Sequence, residues 1–197
     1  IDKLVGDLVA ILDALGVDRV RLVGHDWGAV LSWMLCCRHP ERVSQYVALS
    51  VGHPSAYTRA PLVQKAMGWY IAFFQLRGLA EWIIRARDWA FVSWFTRHHP
   101  EVGRWKAKLS RPGRLTAALN WYRANLTLVL PTAHPKPALP VTGIWSSGDR
   151  YLCEAQMRDT ANWVKGPWRY ERIDGASHWM QLDAPRQVNR MLIDALR

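Results

Sequence analysis

Cysteine is scarce in this chain: three in 197 residues, two of them adjacent, Cys36 and Cys37. So few thiols make no disulfide framework and their spacing fits no zinc pattern, so reduced thiols in a cytoplasmic protein are expected. Long apolar runs are missing too. No stretch approaches the roughly 20 residues that a spanning helix needs, and no membrane span is expected. Nothing at the N-terminus reads as a signal peptide. Internal repeats and low-complexity segments are also absent. Acidic residues are outnumbered, 16 against 26 basic ones, for a net charge of +10. An excess of that size raises nucleic acid or an anionic surface as a partner. The basic residues from Arg85 to Arg114 alternate with Trp, Ala and Leu, however, and no recognition motif accompanies them. A solvated basic face and no nucleic-acid partner are therefore expected. What the chain has in quantity is apolar surface, 50% of its residues, and twelve tryptophans. That is enough to bury a core in one domain with an insertion. Tryptophans also line apolar small-molecule pockets, although most are expected to fill core.

The periodicity alternates between helix and strand. Residues 3 to 15 place apolar side chains at helical spacing and stop at Gly16. A continuous apolar strand at 19–24 follows, as in a parallel sheet covered on both faces. Helix is predicted from Trp27 to about Arg38, and strand from Val43 to Val51. From about Ala60 to Leu130 the chain reads as helical, rich in Trp and Arg, without a strand. Pro131 to Pro140, with four prolines, reads as a linker. Val141 to Trp145 is a third strand, 152–164 a helix, Trp168 to Ile173 a fourth strand, and 185–196 a closing helix. This pattern predicts an α/β fold with residues 60–135 inserted as a helical lid between core segments 1–59 and 136–197.

The chemistry concentrates at Gly24-His25-Asp26-Trp27-Gly28, directly after the first strand. A strand ending in Gly-x-nucleophile-x-Gly and turning into a helix is the elbow of α/β-hydrolases. Here the exposed side chain is a carboxylate, which needs no base to activate it. It suits attack on a saturated carbon, such as that of an epoxide or a carbon–halogen bond, and leaves an ester that water must cleave. Asp26 on its own reads equally well as a helix N-cap. Ester cleavage needs a general base and a group to orient it. The order nucleophile, acid, His is present: Asp149 follows the third strand and His178 follows the fourth, at the strand ends where such sheets place ligands. Taken singly, Asp149 reads also as a turn residue beside Gly148, and His178 as a locally bonded loop histidine. His25 is expected to pack or hydrogen-bond under the elbow. His98 and His99 read as a surface helix end.

The chain resembles the epoxide hydrolase group of the α/β-hydrolase superfamily. The likeness runs through Val23-Gly24-His25-Asp26-Trp27-Gly28, Ser50-Val51-Gly52-His53-Pro54, Phe74-Gln75 on to Gly78 and Glu81, Leu119-Asn120-Trp121-Tyr122-Arg123, and Gly175-Ala176-Ser177-His178-Trp179. It implies that two lid tyrosines, Tyr122 and Tyr70, hold the epoxide oxygen and protonate it, a task that phenols of pKa near 10 suit. It also implies that the Trp27 backbone N–H forms half of an oxyanion hole. Arg77 stands where related sequences usually show Pro. The implied substrate is a small apolar or aromatic epoxide, with no metal and no organic cofactor.

The His-Gly-x-Pro loop that supplies the second oxyanion donor in that group is absent from this sequence. The resemblance therefore implies a partial fold, about four C-terminal parallel strands with flanking helices, as from a fragment of a longer hydrolase. On that reading residues 19–24 form an exposed apolar edge, and the chain should self-associate or be poorly soluble; a stable monomer in sedimentation refutes this. Two alternatives stay open. A haloalkane dehalogenase shares the Asp nucleophile, but a departing halide needs no acid, against the paired tyrosines. A non-catalytic ligand-binding relative needs no base, against the set Asp26, Asp149 and His178.

Overall fold

A computed structural model describes residues 1–197. Its elements begin with α1 (Asp2–Ala14), β1 (Val20–His25), α2 (Trp27–Arg38) and β2 (Val43–Leu49). Six helices follow: α3 (Pro54–Arg59), α4 (Leu62–Met67), α5 (Trp69–Phe74), α6 (Leu79–Phe95), α7 (Val102–Leu109) and α8 (Arg114–Ala124). The chain closes with β3 (Val141–Gly148), α9 (Glu154–Asp159), β4 (Trp168–Ser177), α10 (Met180–Asp183) and α11 (Pro185–Leu196). All four strands are parallel and lie in the order β1-β2-β3-β4. The chain divides into two compact units, residues 1–67 with 128–197, and residues 68–127. The second unit lies inside the 60–135 stretch marked by its helical texture.

Alternation along β2 builds the two sides of the first unit. Successive strand side chains point to opposite faces. Tyr46 and Ala48 accordingly join one cluster with Val5 of α1, Trp33 and Met34 of α2, and Leu152. Val47 and Leu49 join the other, with Ile144, Ile173 and Val188 and Met191 of α11. Both faces of β2 are therefore buried over Tyr46–Leu49, in keeping with the unbroken apolar run there. Trp33 is fully buried, packs edge-on against Tyr46 at 4.9 Å, and donates its Nε1–H to the Val51 carbonyl at 2.9 Å. Burying a ring of that area contributes about 4–5 kcal/mol gross.

Strand β1 departs from the expectation of cover on both faces. It sits at one edge of the sheet, and Arg21 and Val23 are exposed, Val23 by 40%. The tryptophans depart as well. Only Trp33 and Trp145 are buried, whereas Trp69, Trp82 and Trp94 are exposed and the rest are half-buried. Most of them thus do not fill core, because a ring with an N–H to satisfy is often left with one edge in water.

In the second unit the core is aromatic. Tyr122 packs against Phe74 at 5.0 Å and Tyr70 at 5.8 Å, and Tyr70 against Phe95 at 5.3 Å. Its polar anchor is a pair of buried ions. Both terminal guanidinium nitrogens of Arg123 meet Glu81, at 2.6 and 2.9 Å, while Arg123 Nε donates to the Phe74 carbonyl at 2.7 Å. Glu81 also accepts the Gly78 N–H at 2.9 Å, closing the N-terminus of α6. The α6 backbone then leaves helical values over Ala86–Trp89, with φ of 49°, 50° and 62° at Arg87, Asp88 and Trp89.

Candidate active site

Strand β1 delivers Asp26 through a turn that depends on glycine. A Cβ at Gly24 would stand 2.7 Å from the Gly28 carbonyl oxygen and 2.8 Å from the Ala29 Cα, both backbone atoms that cannot yield. The start of α2 packs directly against the strand end for that reason. Asp26 takes φ 50° and ψ −124°, a conformation uncommon for a residue with a side chain and typical of strained functional turns. Asp26 does stand at the N-cap position of α2, but its side chain makes no capping hydrogen bond there. The side chain keeps 44% of its surface exposed.

Strands β3 and β4 bring the other two groups to the same place. Asp149 follows the last residue of β3, and its side chain is completely buried. Its Oδ1 accepts the backbone N–H groups of Tyr151 and Leu152 at 2.8 and 3.0 Å, so the carboxylate is fixed before it meets anything else. Its Oδ2 lies 2.8 Å from Nδ1 of His178, the residue that follows β4. That contact requires Nδ1 to carry the proton and turns Nε2 outward, 3.6 Å from Asp26 Oδ1. Tyr151 and Trp179 stand edge-on to the imidazole at 5.1 and 5.5 Å and wall it from two sides. Three residues far apart in the chain thus form one line, Asp26–His178–Asp149, entirely within the first unit.

The charges in that line oppose and offset one another. Burial works to lower the His178 pKa, but the carboxylates of Asp149 and Asp26 outweigh it and hold the imidazole well above its ordinary value. Burial likewise works to raise the Asp26 carboxyl. His178 beside it, His25 and the Trp27 backbone N–H overcome that, and the net direction is downward. Both neighbours of His178 thus favour the protonated imidazole. His25 reaches under the turn as its position in the motif implies: Nε2 lies 2.8 Å from the His178 carbonyl.

The remaining sequence candidates, Tyr70 on α5 and Tyr122 on α8, are neighbours in the second unit, their rings at 84° to each other. Tyr70 is buried and Tyr122 half-buried. Of the other histidines, His99 is buried and stacked on Trp105 at 4.8 Å, so the reading of His98-His99 as a surface end holds only for His98. Sequence reasoning passed over Gln181 on α10, whose Nε2 lies 3.3 Å from His25 Nδ1. Its only signal was a place three residues after His178. No group of His, Cys, Asp and Glu side chains is arranged to hold a metal ion, and no helix is long and apolar enough to cross a membrane.

A parallel sheet whose strand ends present an acid at a sharp strand–helix turn, a second acid and a histidine defines the α/β-hydrolase fold. Residues 1–185 match the model of that family, described as the alpha/beta hydrolase fold, and the chain belongs to it. Its relatives include epoxide hydrolase 4 of Homo sapiens, 31% identical over 98% of this chain and 57% of the human protein. The AB hydrolase superfamily protein YfhM of Bacillus subtilis is 30% identical, over 100% of this chain and 72% of its own length. Among solved structures, an epoxide hydrolase from Vigna radiata superposes with a TM-score of 0.76 at 26% identity, covering 98% of this chain and 74% of that one. The chain spans less than two thirds of the human relative's length.

Proposed function

We propose that this chain opens apolar epoxides to vicinal diols through an ester on Asp26. The observation that carries the reading is the line Asp26–His178–Asp149, with 3.6 and 2.8 Å between its members, at the ends of three strands. In the first step an Asp26 oxygen attacks an epoxide carbon, the ring C–O bond breaks, and the oxygen leaves as an alkoxide that takes a phenolic proton from Tyr122 or Tyr70. In the second, the His178 imidazolium first returns its Nε2 proton to that phenolate, and the neutral Nε2 then removes a proton from water. The resulting hydroxide adds to the ester carbonyl, the Trp27 N–H steadies the oxyanion, and collapse returns the Asp26 carboxylate and the diol. His178 ends protonated, as it began.

The charge arrangement gives these steps their order. With Asp26 ionised, His178 is held protonated and does not serve as a base. Esterification removes one of the two carboxylate charges that raise it, and the imidazole becomes able to accept a proton only once there is an ester to hydrolyse.

The twelve tryptophans favour an apolar or aromatic substituent on the epoxide. Self-association through the exposed edge of β1 belongs to the same reading. The test is diol formation from a terminal aryl epoxide, compared with the Asp26→Ala variant. Diol that disappears with Asp26 is expected; diol made equally well by Asp26→Ala would refute the scheme.

A further inference from the structure

The contacts behind His178 assign a role to two residues that the proposed chemistry leaves unused. We infer that His25 and Gln181 form a neutral hydrogen-bond relay that positions the His178 imidazole. The inference rests on the proposed function for its kinetic consequence, and on geometry alone for its structural one.

A backbone carbonyl can only accept, so His25 Nε2, 2.8 Å from the His178 oxygen, must carry the proton and donate it. Ser50 Oγ donates to the same carbonyl at 3.4 Å, a longer contact. His25 Nδ1 is then the acceptor, and Gln181 Nε2 faces it at 3.3 Å. A donor at Nδ1 opposes a second proton there. Burial and the neighbouring His178 also push the His25 pKa down, against the pull of Asp26. His25 is thereby held as one neutral tautomer. Its ring centroid lies 4.7 Å from that of His178, so neutrality matters: a second imidazolium there would oppose the charge His178 carries. The Gln181 Oε1 is buried with no partner. An amide that tolerates an unsatisfied oxygen is retained for what its N–H does, here the bond to His25. Because His25 immediately precedes Asp26, the relay also ties the elbow to the histidine loop.

The test pairs His25→Leu, which cannot donate, with His25→Gln, whose amide can reach the same carbonyl. The spectroscopic readout is the downfield proton resonance of His178 Nδ1–H against Asp149, which needs no substrate. It is expected in the parent chain, lost or broadened in His25→Leu, and restored in His25→Gln. Ester hydrolysis should fall about 10²-fold in His25→Leu, as a misplacement of about 1 Å does, with the ester-forming step retained. Should His25→Leu fail to fold, Gln181→Met leaves the histidine in place and should broaden the same resonance. An unchanged resonance in a folded His25→Leu or Gln181→Met overturns the relay. If the resonance behaves as expected but no epoxide is turned over, the relay stands and the assignment of the reaction fails.

Discussion

His178→Gln should stop diol release while leaving Asp26 able to attack, so that incubation with epoxide yields protein heavier by one substrate. The first step needs only the carboxylate and an acid for the leaving oxygen. The second needs a base at Nε2, and glutamine has none. Loss of a positioned general base costs about 10²–10⁴-fold in the step it serves. Intact mass spectrometry, followed by peptide mapping to Asp26, reads the outcome; rapid release without an adduct would show that water reaches the ester by another route. The same logic fixes the pH dependence in the parent chain. His178 is raised in the resting site because Asp149 and Asp26 both favour its proton. Its contribution as a base appears as pH rises through its pKa, and that pKa falls when Asp26 becomes a neutral ester. Single-turnover ester hydrolysis should therefore show its midpoint at lower pH than the imidazole titration of the free chain.

The second large effect is on stability. Arg123→Met should destabilise residues 68–127 by about 3–5 kcal/mol, the usual cost of leaving a buried charge without its partner. The side chains of Arg123 and Glu81 are only 3% and 11% exposed. Together they link the end of α5, the start of α6 and the last turn of α8. Replacing both ions with apolar residues should cost less than the sum of the single changes, because the orphaned charge is then gone. Hydrogen exchange across the second unit measures both. The acid limit follows from Glu81, whose carboxyl Arg123 pulls down to about 2. A depressed carboxyl contributes stability that is complete above its unfolded value and is lost as pH falls through the folded one, so this contribution should decline progressively from about pH 4.5 towards 2. Tyr122 precedes Arg123 and Tyr70 packs on it, so a loosened pair should also disturb the proposed proton donors.

The line Asp26–His178–Asp149 was legible because each member combines a reactive residue type with a position at the end of an apolar strand. Two sequence features fix such a place, periodicity and punctuation, and both are local. Phe74, Gly78, Glu81 and Arg123 were visible only as segments resembling a family; that they form one network depends on chain neighbours 42 and 49 residues apart. The link from Gln181 to His25 spans 156 residues and follows no period, so nothing in either segment announced it. The break in α6 was hidden for the opposite reason. Ala86-Arg87-Asp88-Trp89 contains neither Gly nor Pro, the residues whose backbone freedom or stiffness marks a helix end in sequence. Residues 152–164, read as one helix, instead stop at Asp159 and continue as a tighter turn through Trp163.

The position of the second unit in the chain has a consequence of its own. All of residues 68–127 fall within the single crossover from β2 to β3, two strands already zipped side by side. The three-residue line draws no member from that excursion. The framework proposed to break the ester and the segment proposed to grip the epoxide oxygen can therefore accumulate changes on separate clocks. A lineage could trade one such segment for another and leave the three-residue line untouched.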